Sequence, residues 1–367
     1  MKRLLPILVF LGLFTNVSAQ HYDAGLKKLE SGEYEEAKID FTKAIATDRS
    51  DKKAYNKRGL AKNQLEDFYG AIGDYNTALE IDSTFADALN NRGVAKYNLG
   101  DYYEAIIDYN KSILIDAEQS ESFANRGLAY YDIEELEAAY FDFGRAIALD
   151  PQNADNFFNR AIIRVEVDEY LGAIDDYTQS IALDGTDADV YNYRGVAKYH
   201  IGDLAGALAD YNQSIELDTT DALKYDNRAL AFGALGQFAE AEKDYTTSIK
   251  LYPEDPDTHN LRGVIYYNLE QFDQAIEDYS TAISLDPTNP IYYDNRALVN
   301  VEAKNYAQAI EDYSTSVNLF PNDPETYLQR GLAKVNLGDK YDGCIDIKIS
   351  EEMGSEEAKK ALKKHCK

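Results

Sequence analysis

Basic residues are in short supply in this chain: 37 Lys and Arg face 65 Asp and Glu, a formal charge of -28 over 367 residues. Nucleic acid and anionic membrane are recognised by Lys and Arg that displace counterions from phosphate, so the surface excludes both as natural partners. Protein or peptide partners remain, cationic ones above all. Histidine is scarcer still. His21, His200, His259 and His365 are scattered, with no HExxH or other metal spacing. A Gly-rich phosphate loop and a Ser-nucleophile motif are also missing, so no cofactor is implied and catalysis has no cluster to rest on. The run from Asp184 to Asp189 has the look of a calcium loop, but it lacks the distal Glu and reads as a turn.

Long apolar runs are confined to one place. Leu4 to Phe14 follows the basic Lys2 and Arg3 and precedes the small residues Val17, Ser18 and Ala19, the pattern of a cleavable secretory signal over residues 1–19. Elsewhere no stretch approaches the roughly 20 apolar residues of a membrane helix. The expectation is an exported protein, periplasmic or secreted, that does not insert into the membrane. No cysteine follows the apolar run to carry a lipid. The two cysteines, Cys344 and Cys366, both lie near the end of the chain. Export suits a disulfide between them, which would staple the terminal segment to the preceding repeat; two buried thiols are the alternative.

What the chain has in abundance is period. Arginine recurs every 34 residues from Arg58 to Arg330, each time followed by Gly or Ala, and aspartate keeps the same step from Asp40 to Asp346. A fixed period of this length marks an array whose units cannot bury their apolar faces alone. Numbering one unit from Ala86 as position 1, Leu89, Gly93, Ala95 and Leu99 have helical spacing. Gly100 and Asp101 break it, and a second helix follows from Tyr102 with Ala105, Ile106, Tyr109, Ser112 and Ile113 inward. Position 8 is always Gly or Ala and position 20 Ala or, once, Gly, which lets the two helices approach closely. The aromatic at position 24 fills the gap to the next hairpin. The expected fold is all-α: a right-handed α-solenoid of about ten helix-turn-helix repeats over residues 20–354, closed by a capping helix over 355–367. Arginine at position 7 and aspartate at position 23 stand eight residues either side of the turn. Because the first repeat has Ala24 at position 7 yet keeps Asp40, the expectation is a ladder between neighbours, Asp40 to Arg58 and Asp74 to Arg92.

The pattern resembles the tetratricopeptide repeat family: a large residue at 4, Gly or Ala at 8, an aromatic near 17, Ala at 20, an aromatic at 24 and a small residue at 27. It recurs ten times from about residue 18 to 357. The family's Trp at position 4 is Tyr, Phe, Leu or His here, its Leu at position 7 is the arginine, and its Pro at position 32 appears only as Pro151, Pro253, Pro287 and Pro321. The resemblance implies a non-catalytic scaffold whose first helices line a concave groove through positions 2, 5, 9, 12 and 13. In the third repeat these are Asp87, Asn90, Val94, Tyr97 and Asn98; in the sixth, Asp189, Asn192, Val196, Tyr199 and His200; in the eighth, Asp257, Asn260, Val264, Tyr267 and Asn268. Such a mixture suits extended peptide or protein segments. The lysines with which some members hold a chaperone's terminal carboxylate are lacking: only Lys53 stands at a position 2, and none at position 5. A non-catalytic subunit of an envelope assembly, secretion or enzyme complex is the alternative.

Overall fold

The structure, a computed structural model, describes residues 5–366, with side chains from residue 18 onward. Lys2 and Arg3, the basic start of the expected signal, lie outside the described residues. Among the described residues there are 21 helices and no strand. The chain divides into two compact units, the first ending at Gly185 and the second beginning at Thr186. The first holds five hairpins: α1 (Leu5–Glu30) with α2 (Tyr34–Thr47), α3 (Lys52–Gln64) with α4 (Phe68–Ile81), α5 (Ala86–Asn98) with α6 (Tyr102–Ile115), α7 (Ser120–Asp132) with α8 (Leu136–Leu149), and α9 (Ala154–Glu166) with α10 (Tyr170–Leu183). The second holds α11 (Ala188–His200) with α12 (Leu204–Leu217), α13 (Ala222–Ala234) with α14 (Phe238–Leu251), α15 (Pro256–Asn268) with α16 (Phe272–Leu285), α17 (Pro290–Glu302) with α18 (Tyr306–Leu319), and α19 (Pro324–Leu337) with α20 (Lys340–Glu352). Helix α21 (Glu356–His365) follows. Helix α1 runs unbroken through the second part of the segment expected as a signal into the first repeat.

Local chemistry sets these boundaries. Position 34 caps the first helix of the next repeat, as where the Asp221 carboxylate accepts from Leu223 N–H and the Asn289 carboxamide from Ile291 N–H, both at 3.0 Å. Position 15 turns each hairpin through positive φ. Gly32, Gly100, Gly202, Gly236 and Gly338 take it at 72–106°, while Glu66, Glu134, Asp168, Glu270 and Lys304 take it at 58–62°.

The core is built around glycine at position 8 and the ring at position 24. A Cβ added to Gly93 would lie 2.5 Å from a ring carbon of Tyr109, and the pairs Gly59 with Tyr75, Gly195 with Tyr211 and Gly263 with Tyr279 are as close to within 0.2 Å. The glycine therefore seats a ring of its own hairpin. That ring also reaches the next repeat, where Tyr109 packs on Ala129 and Tyr245 on Ile265. Positions 8 and 20 share core clusters elsewhere, Ala229 with Ala241 and Ala297 with Ala309, and in the tenth repeat a Cβ on Gly331 would meet the Gly343 carbonyl oxygen at 2.7 Å.

The arginine ladder corrects the sequence-based expectation. Asp74 is not held by Arg92, nor Asp40 by Arg58: each arginine forks onto the aspartate of its own hairpin. Arg92 donates from Nε and Nη2 to both oxygens of Asp108 at 2.8 and 2.6 Å, and Arg58 does the same to Asp74. Equal distance from the turn puts both groups at one height inside the hairpin. The link to the preceding repeat exists but uses another acceptor, position 25: Arg92 Nη1 donates to Asn76 at 2.7 Å and Arg228 Nη1 to Asn212 at 2.8 Å. Asp40, without an arginine, is held instead by Lys28 at 2.6 Å and Lys43 at 2.8 Å. Its pKa lies below the usual carboxylate range through those bonds. Position 11 adds a second cation where it is Lys or Arg, as with Lys96 on Asp108 at 2.8 Å.

At the C-terminus, Ser355 caps α21 by accepting from Ala358 N–H at 3.2 Å. Ala358 is fully buried against Leu328 and Ile347, with Leu362 and Cys366 beside it. Cys344 and Cys366 are disulfide-bonded, with Cα atoms 5.8 Å apart. The last helix is thus stapled to the tenth repeat, as its apolar face demands.

Candidate partner-binding face

Within each first helix the expected groove residues share a face by their spacing, yet most of the polar ones are already engaged. Asn90, Asn192 and Asn260 are buried, and each accepts through Oδ1 from the asparagine at position 6 of the following repeat. Asn125 donates at 3.0 Å, Asn227 at 3.0 Å and Asn295 at 2.8 Å. This asparagine ladder joins consecutive first helices and withholds those oxygens from a partner. The carboxylates at position 2 are exposed but also bridged: Asp87 accepts from Gln119 at 3.0 Å, Asp189 from Lys224 at 2.7 Å and Asp257 from Tyr292 at 2.5 Å. Lys224 is itself buried, and Asp189, Asp218 and Asp221 hold it charged by raising its pKa against the cost of burial.

Positions 12 and 13 of these repeats carry rings and carboxamides. Tyr97 lies against Tyr102 with ring centroids 5.3 Å apart and donates its hydroxyl to Asp132. Burial first, and then that carboxylate, push the hydroxyl above the ordinary phenol range. Tyr267 leans on Phe272, and Tyr199 meets the edge of His200. Asn98, His200 and Asn268 are exposed, with Asn268 Nδ2 donating to the Val264 carbonyl at 2.8 Å. Val94, Val196 and Val264 are half-buried.

One distinctive feature of these helices is a missing side chain. Position 12 carries Tyr97, Tyr131, Tyr199 and Tyr267, but the seventh repeat has Gly233 there. The absent ring leaves a cavity of about 220 Å³ lined by Tyr199, Leu230, Gly233, Phe238, Val264, Asn268 and their neighbours. Three of the expected groove residues, Tyr199, Val264 and Asn268, meet around it from the sixth and eighth repeats. The lining is largely apolar, with two phenols and a carboxamide included, and suits one apolar side chain whose backbone hydrogen-bonds nearby. A comparison of position 12 along the array is the signal that finds it. The other site residues, Asp87, Asn90, Tyr97, Asn98, Asp189, Asn192, His200, Asp257, Asn260 and Tyr267, do not line this cavity.

Two other hollows lie apart from it. One of about 210 Å³ has Asp294, Asp323, Glu325 and Thr326 in its lining, and one of about 720 Å³ lies along α20 beside the disulfide, with Tyr341, Ile345 and Ile349. No group of His, Cys, Asp or Glu among the described residues could hold a metal ion. His259 is a core residue, its Nε2 3.2 Å from the Pro253 carbonyl. No helix among the described residues is long and apolar enough to cross a membrane. In the first unit the second helices expose Ile39, Tyr69, Tyr103, Phe141 and Leu171, each more than half accessible.

Family models described as tetratricopeptide repeat match residues 86–118 and 256–289, 158–222, and 120–153 and 225–255, and one described as TPR repeat matches 61–100. No curated protein matches the chain in sequence. Among solved structures, the C-terminal part of a TPR repeat-containing protein from Cytophaga hutchinsonii has a TM-score of 0.54 at 18% identity, over 64% of this chain and 96% of that one. The pilF protein of Pseudomonas aeruginosa has a TM-score of 0.53 at 23% identity, over 58% and 96%. A subunit of the APC/C hetero-tetramer Cut9-Hcn1 has a TM-score of 0.51 at 15% identity, over 97% and 85%. At these identities the likeness is one of fold.

Proposed function

Since this chain belongs to the tetratricopeptide repeat family, whose members mediate protein–protein contacts, we propose that it is a non-catalytic scaffold of the cell envelope that binds extended protein segments along its first helices. The observation that carries the reading is the gap at Gly233. An apolar cavity of about 220 Å³ opens where four of the repeats, both immediate neighbours included, place a ring, and residues of three consecutive repeats line it. An extended segment anchors there by one apolar side chain, and the acidic surface around it favours a segment with basic flanks. The reading of an exported protein rests on Lys2, Arg3 and the apolar run that follows.

The exposed apolar row on the second helices of the first unit favours a second reading, a fixed subunit of a larger non-catalytic assembly, because a permanent partner would bury it. Affinity capture from native envelope extract separates the two. A scaffold recovers several exchanging proteins and loses them when Gly233→Tyr refills the gap. A fixed subunit recovers one stoichiometric protein and is indifferent to that change.

A further inference from the structure

We propose that Asp226 and Asp294 are proton-holding joints: each carries a hydrogen into the contact between its repeat and the next, so that both contacts tighten when the carboxyl is protonated and loosen when it ionises. The two residues occupy position 5, where the asparagine ladder runs elsewhere. The ladder needs a donor at position 6 of the next repeat. For Asp226 that position is Leu261, which has none, and for Asp294 it is Gln329, whose Nε2 donates to Glu325 instead. Oδ1 of each aspartate is consequently buried without a partner.

The other oxygen shows where the hydrogen belongs. Thr258 Oγ1 lies 2.7 Å from Asp255 Oδ2 and 3.1 Å from Asp226 Oδ2; Thr326 Oγ1 lies 2.7 Å from Asp323 Oδ2 and 3.2 Å from Asp294 Oδ2. A hydroxyl has one hydrogen and serves one of the two carboxyls. The shorter contact takes it, so the longer one is a hydrogen bond only if the aspartate at position 5 donates. In the third and fourth repeats the position-5 oxygen is neutral and is satisfied from the next repeat: Asn90 Oδ1 accepts from Asn125 Nδ2 at 3.0 Å, and Ser122 Oγ lies 2.7 Å from Gln119. Neither aspartate has such a donor, and a hydrogen on its own carboxyl removes the charge that the missing donor would have answered.

Nothing nearby stabilises the ionised form well. Asp226 faces Asp221 at the start of α13, Ser248 and Tyr245 of α14, and Asp255 and Thr258 at the start of α15. The cations of its own helix are turned away, Lys224 to Asp189, Asp218 and Asp221, and Arg228 to Asp244. Asp294 faces Ser316, Asp312 and Tyr313 of α18 and Asp323 and Thr326 at the start of α19; Arg296 is forked onto Asp312, and α15 brings the neutral Asn260, bonded to Asn295. Burial first, then the neighbouring carboxylates, push both groups up from 3.8 to about 6. A carboxyl raised in the folded state contributes stability that is full below its unfolded value and is lost as pH climbs through the folded one. The contribution therefore fades between about pH 4 and pH 6 and is largely gone above 7.

The test is a carbon NMR titration of the whole chain labelled at aspartate Cγ, with D226N and D294N as assignments. Two signals should titrate with midpoints near 6 and vanish one in each variant. The double variant should melt higher than wild type at pH 7.5 and lose most of the fall between pH 5 and 7.5. Glu277→Gln, which removes an exposed charge, should keep that fall. Midpoints near 3.8, or an equal flattening by Glu277→Gln, would overturn the proposal.

Discussion

Replacing Arg126 by Gln tests the forked pair in a repeat where position 11 brings no second cation. Asp142 is 1% exposed and takes Arg126 Nε at 2.6 Å and Nη2 at 2.7 Å. Position 11 of that repeat is Tyr130, so no second cation remains once the guanidinium is gone. Removing one partner of a buried ion pair costs about 3–5 kcal/mol, because the other charge is left unanswered. Arg92→Gln removes the same fork, but Asp108 keeps Lys96 at 2.8 Å, and the expected loss is about 2 kcal/mol, that of charge-assisted hydrogen bonds alone. A long array need not melt in one step, so amide hydrogen exchange in α7 and α8 is the fitting assay. Arg126→Gln should speed it by roughly a hundred-fold to a few thousand-fold, at a factor of ten per 1.4 kcal/mol. Adding Asp142→Asn should recover more than half of that. Equal effects of the two arginine changes, or near-native exchange in Arg126→Gln, would refute the reasoning.

Glu66, Glu134, Asp168, Glu270 and Lys304 hold positive φ where other repeats use glycine, so each change to Gly should gain about 1 kcal/mol, read as a raised thermal midpoint; a lowered midpoint would show that those side chains contribute more than their strain. Cys344→Ser opens a link between residues 22 apart and should cost about 3 kcal/mol of protection in α20 and α21. Reductant should then change wild type but not the variant.

The 34-residue step, the two helices per step and the turn at position 15 were all legible, because each depends on residues close in sequence. The choice of partner for each arginine was not. Position 7 meets position 23 on both sides, in its own hairpin and in the preceding one, and only the side-chain path decides between them. The asparagine ladder was hidden for a related reason. Asn90 and Asn125 are 35 residues apart, and an asparagine at position 5 looks like a groove residue until position 6 of the next repeat is laid beside it. Gly233 stood in plain view as the smallest residue at position 12, between Tyr199 and Tyr267, but the space it leaves depends on Tyr199, Phe238 and Val264 closing around it.

The most direct test of the binding account is a photoreactive phenylalanine in place of Tyr199, activated in cells that express the whole chain. The account predicts a discrete set of protein adducts that disappears when Gly233→Tyr is added, and none of these adducts from the same probe at the exposed Ala239 of α14. No adduct from position 199, or the same adducts from both positions with or without Gly233, would contradict it.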